Sequence, residues 1–415
     1  MKTPALFPRY SQFRLTEALK DSPVVLVHGP RQCGKTTLTR MVGDKAGYAY
    51  FSFDEEVILR AAEADPTGFV LDLPERVILD EIQRAPGLFV AIKATVDKHR
   101  IPGRFILTGS ANVFLVPQLS DSLAGRMEIL RLHPLAQSEL ARVQSCFLAS
   151  LFANSFKARS VERLGPELAA RIVTGGYPAA LARSRPARCA AWYRDYVEAL
   201  VQRDVSEMAR ISSLHVLPRL LSFAVGQTAK LLNVCDLAAP FQLSRPTIRD
   251  YVTLLERVFL LDILPPWHSN RLSRLIKTPK LHMGDTGVAC ALMGMDAHDL
   301  AKDRTVLGPL LETFVFQEVR RQAEWQDKPI SFHHFRDKDG VEVDIVLERG
   351  AQEIAGIEVK ASATVTAKDF SGLRKLRDVS GSRFLGGVVL YDGEQCVHFG
   401  DRLHAVPIRT LWETT

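Results

Sequence analysis

The chain has 415 residues, of which 47% are hydrophobic and 24% charged, and its formal net charge is +6 at pH 7. This length predicts two or three domains, and the composition is typical of a globular protein, which excludes collagen-like and wholly disordered chains. The small excess of positive charge permits a nucleic-acid partner without requiring one, since a basic surface also serves solubility.

The first third of the chain alternates short runs typical of β-strands with helical segments. Strands are predicted at 24–27, 48–53, 77–79, 105–107 and 128–132. Strands that alternate with helices favour a parallel sheet covered by helices on both faces. We therefore expect an α/β core in the first 135 residues.

A glycine-rich segment follows the first predicted strand and fits the pattern GxxxxGK[ST]. Its nine residues are Gly29, Pro30, Arg31, Gln32, Cys33, Gly34, Lys35, Thr36 and Thr37. In such a loop, glycines let backbone N–H groups surround phosphates at a helix N-terminus, whose dipole favours anions. Lys35 would reach the phosphate oxygens, and the Thr36 hydroxyl would ligate Mg²⁺. The alternative, a chance turn with a solvated lysine, is disfavoured by the position between a buried strand and a helix.

Two carboxylates, Asp80 and Glu81, end the third predicted strand. Asp80 would hold magnesium through water, and Glu81 would orient or activate the water that attacks the phosphate. An ordinary acidic turn exposed to solvent is the alternative. The position downstream of the phosphate loop, with one strand in between, favours the functional interpretation. ATP and Mg²⁺ are therefore the expected cofactors, and ATP hydrolysis is the expected activity.

Polar residues also follow the fourth predicted strand. Thr108, Ser110 and Asn112 are candidates to sense the terminal phosphate or to position water, although an ordinary turn or helix cap remains open;. Arg126 is a candidate arginine finger that would offset developing phosphate charge, on a neighbouring subunit if the chain forms a homo-oligomer. A surface salt bridge is the alternative for Arg126. The expected catalytic residues are Lys35, Glu81 and Arg126.

Together these motifs carry a family resemblance. The segments concerned are 29–37, 80–86, 107–110 and 123–126. They resemble the AAA+ ATP-binding domain of a large group of bacterial and archaeal ATPases, which usually carry a C-terminal domain of unknown function with a restriction-endonuclease-like core. The resemblance implies nucleotide binding by the glycine-rich segment, magnesium coordination by Thr36 and Asp80, and catalysis by Glu81. Cys33 departs from the small or polar residue that is often found at its place, which is a variable position.

Residues 136–213 have a helical pattern and are predicted to form a lid or linker. Residues 214–269 have the layout of a winged helix, in which Ser244 caps a recognition helix. The side chains that would project from the first turn of that helix into a major groove are Arg245, Thr247 and Arg249. A protein-interaction or purely structural winged helix remains open, because Asp250 and Glu256 dilute the basic face.

Residues 270–415 combine helices with strands on which polar and apolar side chains alternate. Asp344 lies on one predicted strand, and Glu358 and Lys360 share a face of another;. If these strands are neighbours, the side chains converge in an arrangement that suits metal-dependent phosphodiester cleavage, and Glu312 on the preceding helix would complete the ligand set. The order of these elements resembles the restriction-endonuclease fold. Polar residues on an exposed strand face are common, however, and a fold does not certify an activity.

The sequence thus predicts an α/β multidomain ATPase in four parts. The parts are an AAA+ core at 1–135, a helical lid or linker at 136–213, a winged helix at 214–269 and a restriction-endonuclease-like domain at 270–415. We expect the nucleotide state to be coupled to the nuclease-like domain, with DNA as the partner. The alternative is a nucleotide-switched DNA-binding or protein-interaction scaffold with an inert C-terminal domain. Six scattered cysteines without a CxxC motif, and no long apolar stretch or signal-peptide core, predict a cytoplasmic protein without a membrane partner;.

Overall fold

The computed structural model of this chain describes residues 6–110, 123, 125–205, 216–269 and 278–413. Within these ranges, no helix combines the length and the apolar character that a bilayer crossing demands. All six cysteines lie in these ranges as free thiols, which agrees with the expectation from their scattered positions.

The N-terminal part is built around a five-stranded sheet. Its strands are β1 (Val24–His28), β2 (Ala49–Ser52), β3 (Val77–Asp80), β4 (Phe105–Gly109) and β5 (Met127–Arg131). They lie in the order β2-β3-β4-β1-β5, and every neighbouring pair is parallel, as predicted. Parallel strands end at one edge of a sheet. The polar residues that follow β1, β3 and β4 therefore meet at that edge.

Helices cover both faces of this sheet, which confirms the prediction for the core. They are α1 (Ser11–Ala18), α2 (Lys35–Gly43), α3 (Glu56–Ala64), α4 (Pro66–Leu71) and α5 (Leu88–Lys98). Side chains of a strand alternate between the two faces. Val25 and Val27 of β1 accordingly join a hydrophobic cluster with α1 and α2, whereas Val24 and Leu26 join another with α3, α4 and α5.

Residues 136–205 form mainly helices, with one short strand. The elements are α6 (Gln137–Ala141), α7 (Phe147–Ala153), β6 (Arg159–Ser160), α8 (Pro166–Thr174), α9 (Pro178–Leu181), α10 (Pro186–Leu200) and a π-helical turn (Val201–Val205). Helix α10 contacts the phosphate loop, whereas α7 packs against the C-terminal sheet and β6 pairs with the edge of that sheet. The segment predicted as one lid or linker therefore contributes to two parts of the molecule.

A small unit of three helices and three strands follows, which we call the 217–283 unit. It contains α11 (Leu217–Val225), β7 (Lys230–Leu231), α12 (Val234–Ala238), α13 (Arg245–Arg257), β8 (Leu261–Leu264) and β9 (Lys280–Met283). β9 lies between β7 and β8 and is antiparallel to both, so the central strand of this unit lies beyond the boundary predicted at 269. Helix α13 begins as predicted, because Ser244 is its N-cap and accepts a hydrogen bond from the Thr247 N–H at 3.2 Å.

The C-terminal part is organised around a mixed seven-stranded sheet. Its helices are α14 (Thr286–Met293), α15 (Ala297–Lys302), α16 (Arg304–Ala323) and α17 (Ser371–Ser380). Its strands are β10 (Ile330–Arg336), β11 (Glu342–Arg349), β12 (Glu353–Lys360), β13 (Phe384–Tyr391), β14 (Gln395–His398) and β15 (Leu403–Pro407). They lie in the order β10-β11-β12-β13-β15-β14-β6, in which β13 is parallel to β12 and β15 and the other pairs are antiparallel.

Most elements predicted for the C-terminal part are confirmed, with ends shifted by a few residues. The long helix is α16, and the three strands expected after it are β10, β11 and β12. The helix expected near 368–377 begins with a short 3-10 turn (Ala367–Phe370) and continues as α17. Leu373 and Leu376 of α17 pack on one face of the sheet, while α16 and α7 pack near the other. This arrangement places α16, β11 and β12 side by side.

Candidate functional site

The phosphate loop connects β1 to α2 at the carboxyl edge of the N-terminal sheet. Glycine is required at position 29, because a Cβ there would lie 2.0 Å from the Leu132 carbonyl oxygen. Gly34 has a φ of 100°, in the left-handed region that glycine adopts without strain, and it is the N-cap of α2;. Among the described residues, no side chain caps this helix. Its first backbone N–H groups can therefore donate hydrogen bonds to a bound anion.

Lys35 opens α2, and its side chain folds back into the phosphate loop. Its Nζ donates to the Gly29 carbonyl oxygen at 3.1 Å and to the Pro30 carbonyl oxygen at 3.0 Å. The residue is only 5% exposed. Hydrogen bonds between an ammonium and a phosphate are stronger than those to neutral carbonyls. The loop therefore holds the positive charge where the sequence predicts a phosphate to bind.

Asp80 accepts hydrogen bonds from three hydroxyl groups. Thr36 Oγ1 lies 3.0 Å and 3.1 Å from the two carboxylate oxygens, Thr108 Oγ1 donates at 2.6 Å, and the Tyr50 phenol donates at 2.8 Å. Burial and the bond to Asp80 raise the pKa of Tyr50 to about 12. Mg²⁺ prefers oxygen ligands and usually keeps several waters. The Thr36 hydroxyl as a ligand, with Asp80 beside it to accept a hydrogen bond from a bound water, therefore fits the expected cation.

Glu81 follows Asp80 with a φ of 56°, a left-handed conformation that is uncommon for residues with side chains;. Its N–H donates to Thr108 Oγ1 at 2.9 Å, and its carboxylate accepts a hydrogen bond from the Gln83 amide. The same amide donates to Ser110 Oγ at 3.1 Å. The structure thus brings Thr108 and Ser110 to Asp80 and Glu81. Asn112, the third sensor candidate, lies outside the described residues.

Arg126 pairs with Asp97 on the surface of the N-terminal part. Its Nη2 lies 3.1 Å from Asp97 Oδ2, and its Nε donates to the other carboxylate oxygen. This hydrogen bond lowers the pKa of Asp97, an exposed group. Arg126 is not among the described residues that line the cavity beside the phosphate loop. Its predicted role as an arginine finger toward a neighbouring subunit stays a prediction.

A cavity of about 700 Å³ lies beside the phosphate loop and has two walls. One wall contains the predicted residues Lys35, Thr36, Asp80 and Glu81. The other wall comes from α9, α10 and the π-helical turn, and it contains Pro178, Tyr196, Leu200 and Arg203. The Tyr196 hydroxyl donates to the Arg31 carbonyl oxygen at 3.2 Å, and the ring stacks on Trp192 with 5.1 Å between centroids. This second wall was not predicted, because nothing in the helical pattern of 186–205 marks the face that meets the loop.

Arg9 contacts the phosphate loop and the segment after β5. The sequence did not predict a role for this residue. Its guanidinium donates to the carbonyl oxygens of Cys33 and His133, each at 2.7 Å, and its Nε lies 3.2 Å from Glu139. Arg9 is 6% exposed and Glu139 is 1% exposed. Buried charges are stable only when they are paired and hydrogen-bonded. A single arginine ahead of the first strand has no motif around it that could have predicted this contact.

The segment after β5 continues this network into the C-terminal part. Gln137 N donates to Glu318 of α16 at 2.8 Å. Arg321 of the same helix donates to the Leu135 carbonyl oxygen at 2.8 Å and to Asp285 at 2.9 Å. Since these groups are buried, the contacts between the N-terminal part and α16 form a continuous polar interface.

The structure also brings together the four residues predicted for a nuclease-like site. Asp344 lies on β11, Glu358 and Lys360 lie on β12, and Glu312 lies on α16. Lys360 Nζ donates to Glu358 Oε1 at 2.8 Å, and the Val359 N–H donates to Asp344 Oδ2 at 2.9 Å. Burial and the nearby Asp344 raise the pKa of Glu358 to about 8.

A fifth residue, Lys280 of β9, lies within this cluster and was not predicted. Its Nζ donates to Glu312 Oε1 at 2.9 Å and to Asp344 Oδ1 at 3.2 Å. Burial acts to lower the pKa of Lys280, but Asp344 and Glu312 outweigh it and raise that pKa. The oxygens that would ligate a divalent cation are therefore already bonded to an ammonium group. The cluster in this conformation does not fit a metal ion.

The three residues predicted to contact DNA lie on the first turns of α13. Arg245 and Arg249 are exposed, and Thr247 is half-buried. The adjoining face of the helix is buried through Ile248, Leu255 and other apolar residues. The two arginines are one helical turn apart and therefore share a face.

Family models match three stretches of the chain. Residues 21–141 match a model described as an AAA domain, residues 165–299 match one described as a domain of unknown function (DUF8612), and residues 307–411 match one described as a domain of unknown function (DUF4143). The first match coincides with the parallel sheet and the phosphate loop. This part of the chain is therefore an AAA-like P-loop core, and the two stretches that follow are similar to domains whose function is unknown.

Comparisons with individual proteins give more distant likenesses. Uncharacterized proteins of Mycobacterium bovis and Mycobacterium tuberculosis are each 29% identical over 403 residues, which is 97% of this chain and 83% of theirs. A solved structure of a Walker-type ATPase of Pyrococcus abyssi is 17% identical, with a TM-score of 0.44, and covers 69% of this chain and 96% of its own. The RuvB Holliday junction branch migration motor of Thermotoga maritima is 19% identical, with a TM-score of 0.28, and covers 62% of this chain and 90% of its own.

Proposed function

We propose that the chain binds ATP with Mg²⁺, hydrolyses ATP to ADP, and couples its nucleotide state to a nuclease-like C-terminal domain that acts on DNA. One observation carries most of the proposal. Lys35 and Thr36 come from the segment after β1, Asp80 and Glu81 come from the end of β3, and all four face the same cavity. A P-loop, a magnesium-binding pair and a carboxylate for water are the parts that phosphoryl transfer to water requires.

Each of these side chains has a definite task in the proposed reaction. Lys35 and the N–H groups at the start of α2 bind the phosphates, and Thr36 and Asp80 hold the cation. Mg²⁺, when bound, neutralises charge on the phosphate oxygens. Glu81 accepts a proton from the attacking water, and Gln83 orients the Glu81 carboxylate. Arg126 is proposed to complete the site of a neighbouring subunit in a homo-oligomer.

The proposed coupling runs through the polar interface between the phosphate loop and α16. Arg9 links the Cys33 carbonyl group to His133 and Glu139. The same segment contacts Glu318 and Arg321 of α16. A phosphate that displaces the carbonyl groups from Lys35 changes the loop at the start of this chain of contacts. Buried hydrogen-bonded elements of this kind transmit a change only if they have two discrete arrangements.

The proposed partner is DNA, bound by the 217–283 unit as a winged helix. The support is the order of elements in that unit, with three helices and an antiparallel sheet, and the exposed Arg245 and Arg249 on the first turns of α13. Recognition helices of this layout contact base edges from their N-terminal residues. Residues 270–277, between β8 and β9, lie outside the described residues.

The proposed fold of the C-terminal part is that of the restriction endonucleases. Its support is the order of the elements along the chain. Glu312 lies on a helix, Asp344 follows on a hairpin, Glu358 and Lys360 lie on the next strand, and α17 comes after that strand. We assign no cleavage step, because the carboxylates do not fit a metal ion in this conformation. The position of Lys280 favours a second candidate function, in which the chain is a nucleotide-switched scaffold with an inert C-terminal domain.

Purified protein is expected to release phosphate from ATP in the presence of Mg²⁺ and to release none when EDTA is added. Supercoiled plasmid in the same reaction is expected to stay intact, because Lys280 engages Glu312 and Asp344. Phosphate release and agarose electrophoresis measure the two results. A rate no higher than that of a Lys35→Ala variant would contradict the proposed ATPase. Plasmid nicking that disappears in Asp344→Asn would show instead that the C-terminal domain cleaves.

The double variant Arg245→Ala, Arg249→Ala is expected to bind duplex DNA about tenfold more weakly, since each exposed ion pair contributes up to ~1 kcal/mol. The slope of log K against log salt concentration should fall by about two units, because two positive charges that displace counterions from the DNA are lost. Fluorescence anisotropy at several salt concentrations measures both quantities. The control is Arg60→Ala, an exposed arginine on α3. Equal affinities and slopes for wild type and the double variant would exclude α13 as the DNA-binding helix.

A further inference from the structure

Lys280 supplies a positive charge to the C-terminal carboxylates from a different part of the chain. It lies on β9, the central strand of the 217–283 unit, where it pairs with Leu231 of β7 and Leu264 of β8. The carboxylates that it contacts belong to α16 and β11. Its side chain is 3% exposed. The ammonium and its partners are therefore brought together only when the two parts are docked.

The face of β9 that carries Lys280 makes a second contact with α16. His282, two residues further along the strand and fully buried, lies 3.0 Å through Nδ1 from Thr313 Oγ1. That hydroxyl lies 2.8 Å from Thr228 Oγ1 of the 217–283 unit. Strand residues two apart share a face. The strand is thus held against α16 at two successive positions, and Lys280 cannot leave the carboxylates unless β9 moves.

The carboxylate cluster keeps one oxygen that no described residue satisfies. Glu358 Oε1 accepts from Lys360, but Glu358 Oε2 is buried and makes no hydrogen bond with any described residue. Glu358 is 8% exposed. A buried carboxylate oxygen without a partner is costly. This oxygen therefore remains open to a proton or to an added cation.

We propose that Lys280 is an internal cation that excludes divalent metal from the cluster of Glu312, Asp344 and Glu358. A metal ion bound to Glu312 Oε1 and Asp344 Oδ1 would lie within about 3 Å of the ammonium. Two positive charges repel each other strongly at that distance. Only one of the two cations can be present. The inference rests on the proposed nuclease-like fold of the C-terminal part, but not on ATP hydrolysis.

The test is manganese binding to the full chain without nucleotide, measured by the electron paramagnetic resonance of free Mn²⁺ and by thermal unfolding. The variants are Lys280→Met, which keeps the length of the side chain without its charge, the conservative Lys280→Arg, and Lys280→Met combined with Asp344→Asn. We expect Lys280→Met to bind one Mn²⁺ per chain more than wild type, and to lose that ion in the double variant. Lys280→Arg should behave as wild type.

In Lys280→Met the carboxylates lose their ammonium partner, and the variant could fail to fold without metal. Thermal unfolding tests the proposal in that situation as well. Mn²⁺ should then restore the cooperative transition of Lys280→Met, while it leaves the transition of wild type unchanged. Binding of Mn²⁺ by wild type that depends on Asp344 would overturn the proposal. So would a Lys280→Met chain that gains neither an Asp344-dependent ion nor stability from Mn²⁺. Because nucleotide is absent, none of these results depends on whether the chain hydrolyses ATP.

Discussion

Replacement of Lys35 by alanine is expected to weaken ATP binding by a factor of about 100 or more. The side chain supplies the ammonium of the phosphate loop, and hydrogen bonds to charged groups contribute ~1.5–3 kcal/mol each. In wild type, the described residues that hold this ammonium are Gly29 and Pro30, and a phosphate can displace their carbonyl oxygens. Isothermal titration calorimetry with ATP and Mg²⁺ measures the difference.

The control for this variant is Lys45→Ala, which removes an exposed lysine just after α2. Its affinity for ATP should equal that of wild type. The thermal unfolding temperature of Lys35→Ala should change little, because the side chain pairs with no buried charge. An unaltered affinity for ATP in a folded Lys35→Ala protein would show that the loop at 29–37 does not bind the nucleotide.

Replacement of Glu81 by glutamine is expected to separate binding from hydrolysis. An amide cannot accept the proton of the attacking water, and loss of a general base costs a factor of about 100 to 10,000 in rate. The affinity for ATP should stay within a factor of about two, because Lys35, Thr36 and Asp80 are untouched. Phosphate release in single-turnover conditions and calorimetry measure the two quantities.

Glu75→Gln is the matched control, since Glu75 is an exposed carboxylate shortly before β3. It should hydrolyse ATP at the wild-type rate. If Glu81→Gln hydrolysed ATP as fast as this control, another group would have to activate the water. If Glu81→Gln lost ATP binding as well, Glu81 would act in the ground state, and its proposed task would be wrong.

The ATPase core could be predicted from sequence because its signals are local. The glycine-rich segment is nine consecutive residues, and Asp80 ends a strand that three apolar residues mark clearly. Parallel strands bring their carboxyl ends to one edge whatever the details of packing. The contact between Thr36 and Asp80 follows from these facts, and the structure confirms that the two side chains meet.

Residues that act through long-range contacts could not be predicted in the same way. Lys280 differs from any other lysine only through its distance to Glu312 and Asp344, which depends on how β9 docks against α16. Arg9 likewise depends on a loop that begins about twenty residues later. Tyr50 could have been suspected, since it lies on the strand beside β3, but its hydroxyl reaches Asp80 only through the register of the two strands.

Domain boundaries were the hardest features to predict, for a physical reason. A change from alternating strands to helices shows where the ATPase core ends, but helices of similar pattern can pack on different neighbours. Helix α7 and helix α10 both belong to the segment predicted as a lid. Only the structure shows that α10 borders the phosphate loop while α7 belongs with β13. The boundaries drawn from sequence remain predictions of where separate functions lie.

The pairing of β6 with β14 has a consequence for how this chain folds during its synthesis on the ribosome. Ser160 and Gln395, which join the two strands, are separated by 235 residues. At 5–20 residues per second, a ribosome needs on the order of ten to fifty seconds to produce the second strand after the first. Throughout that interval the apolar side of α7, which includes Phe147 and Leu151, has no sheet to cover it. Helix α7 and β6 therefore complete their packing only after β13 and β14 have been made.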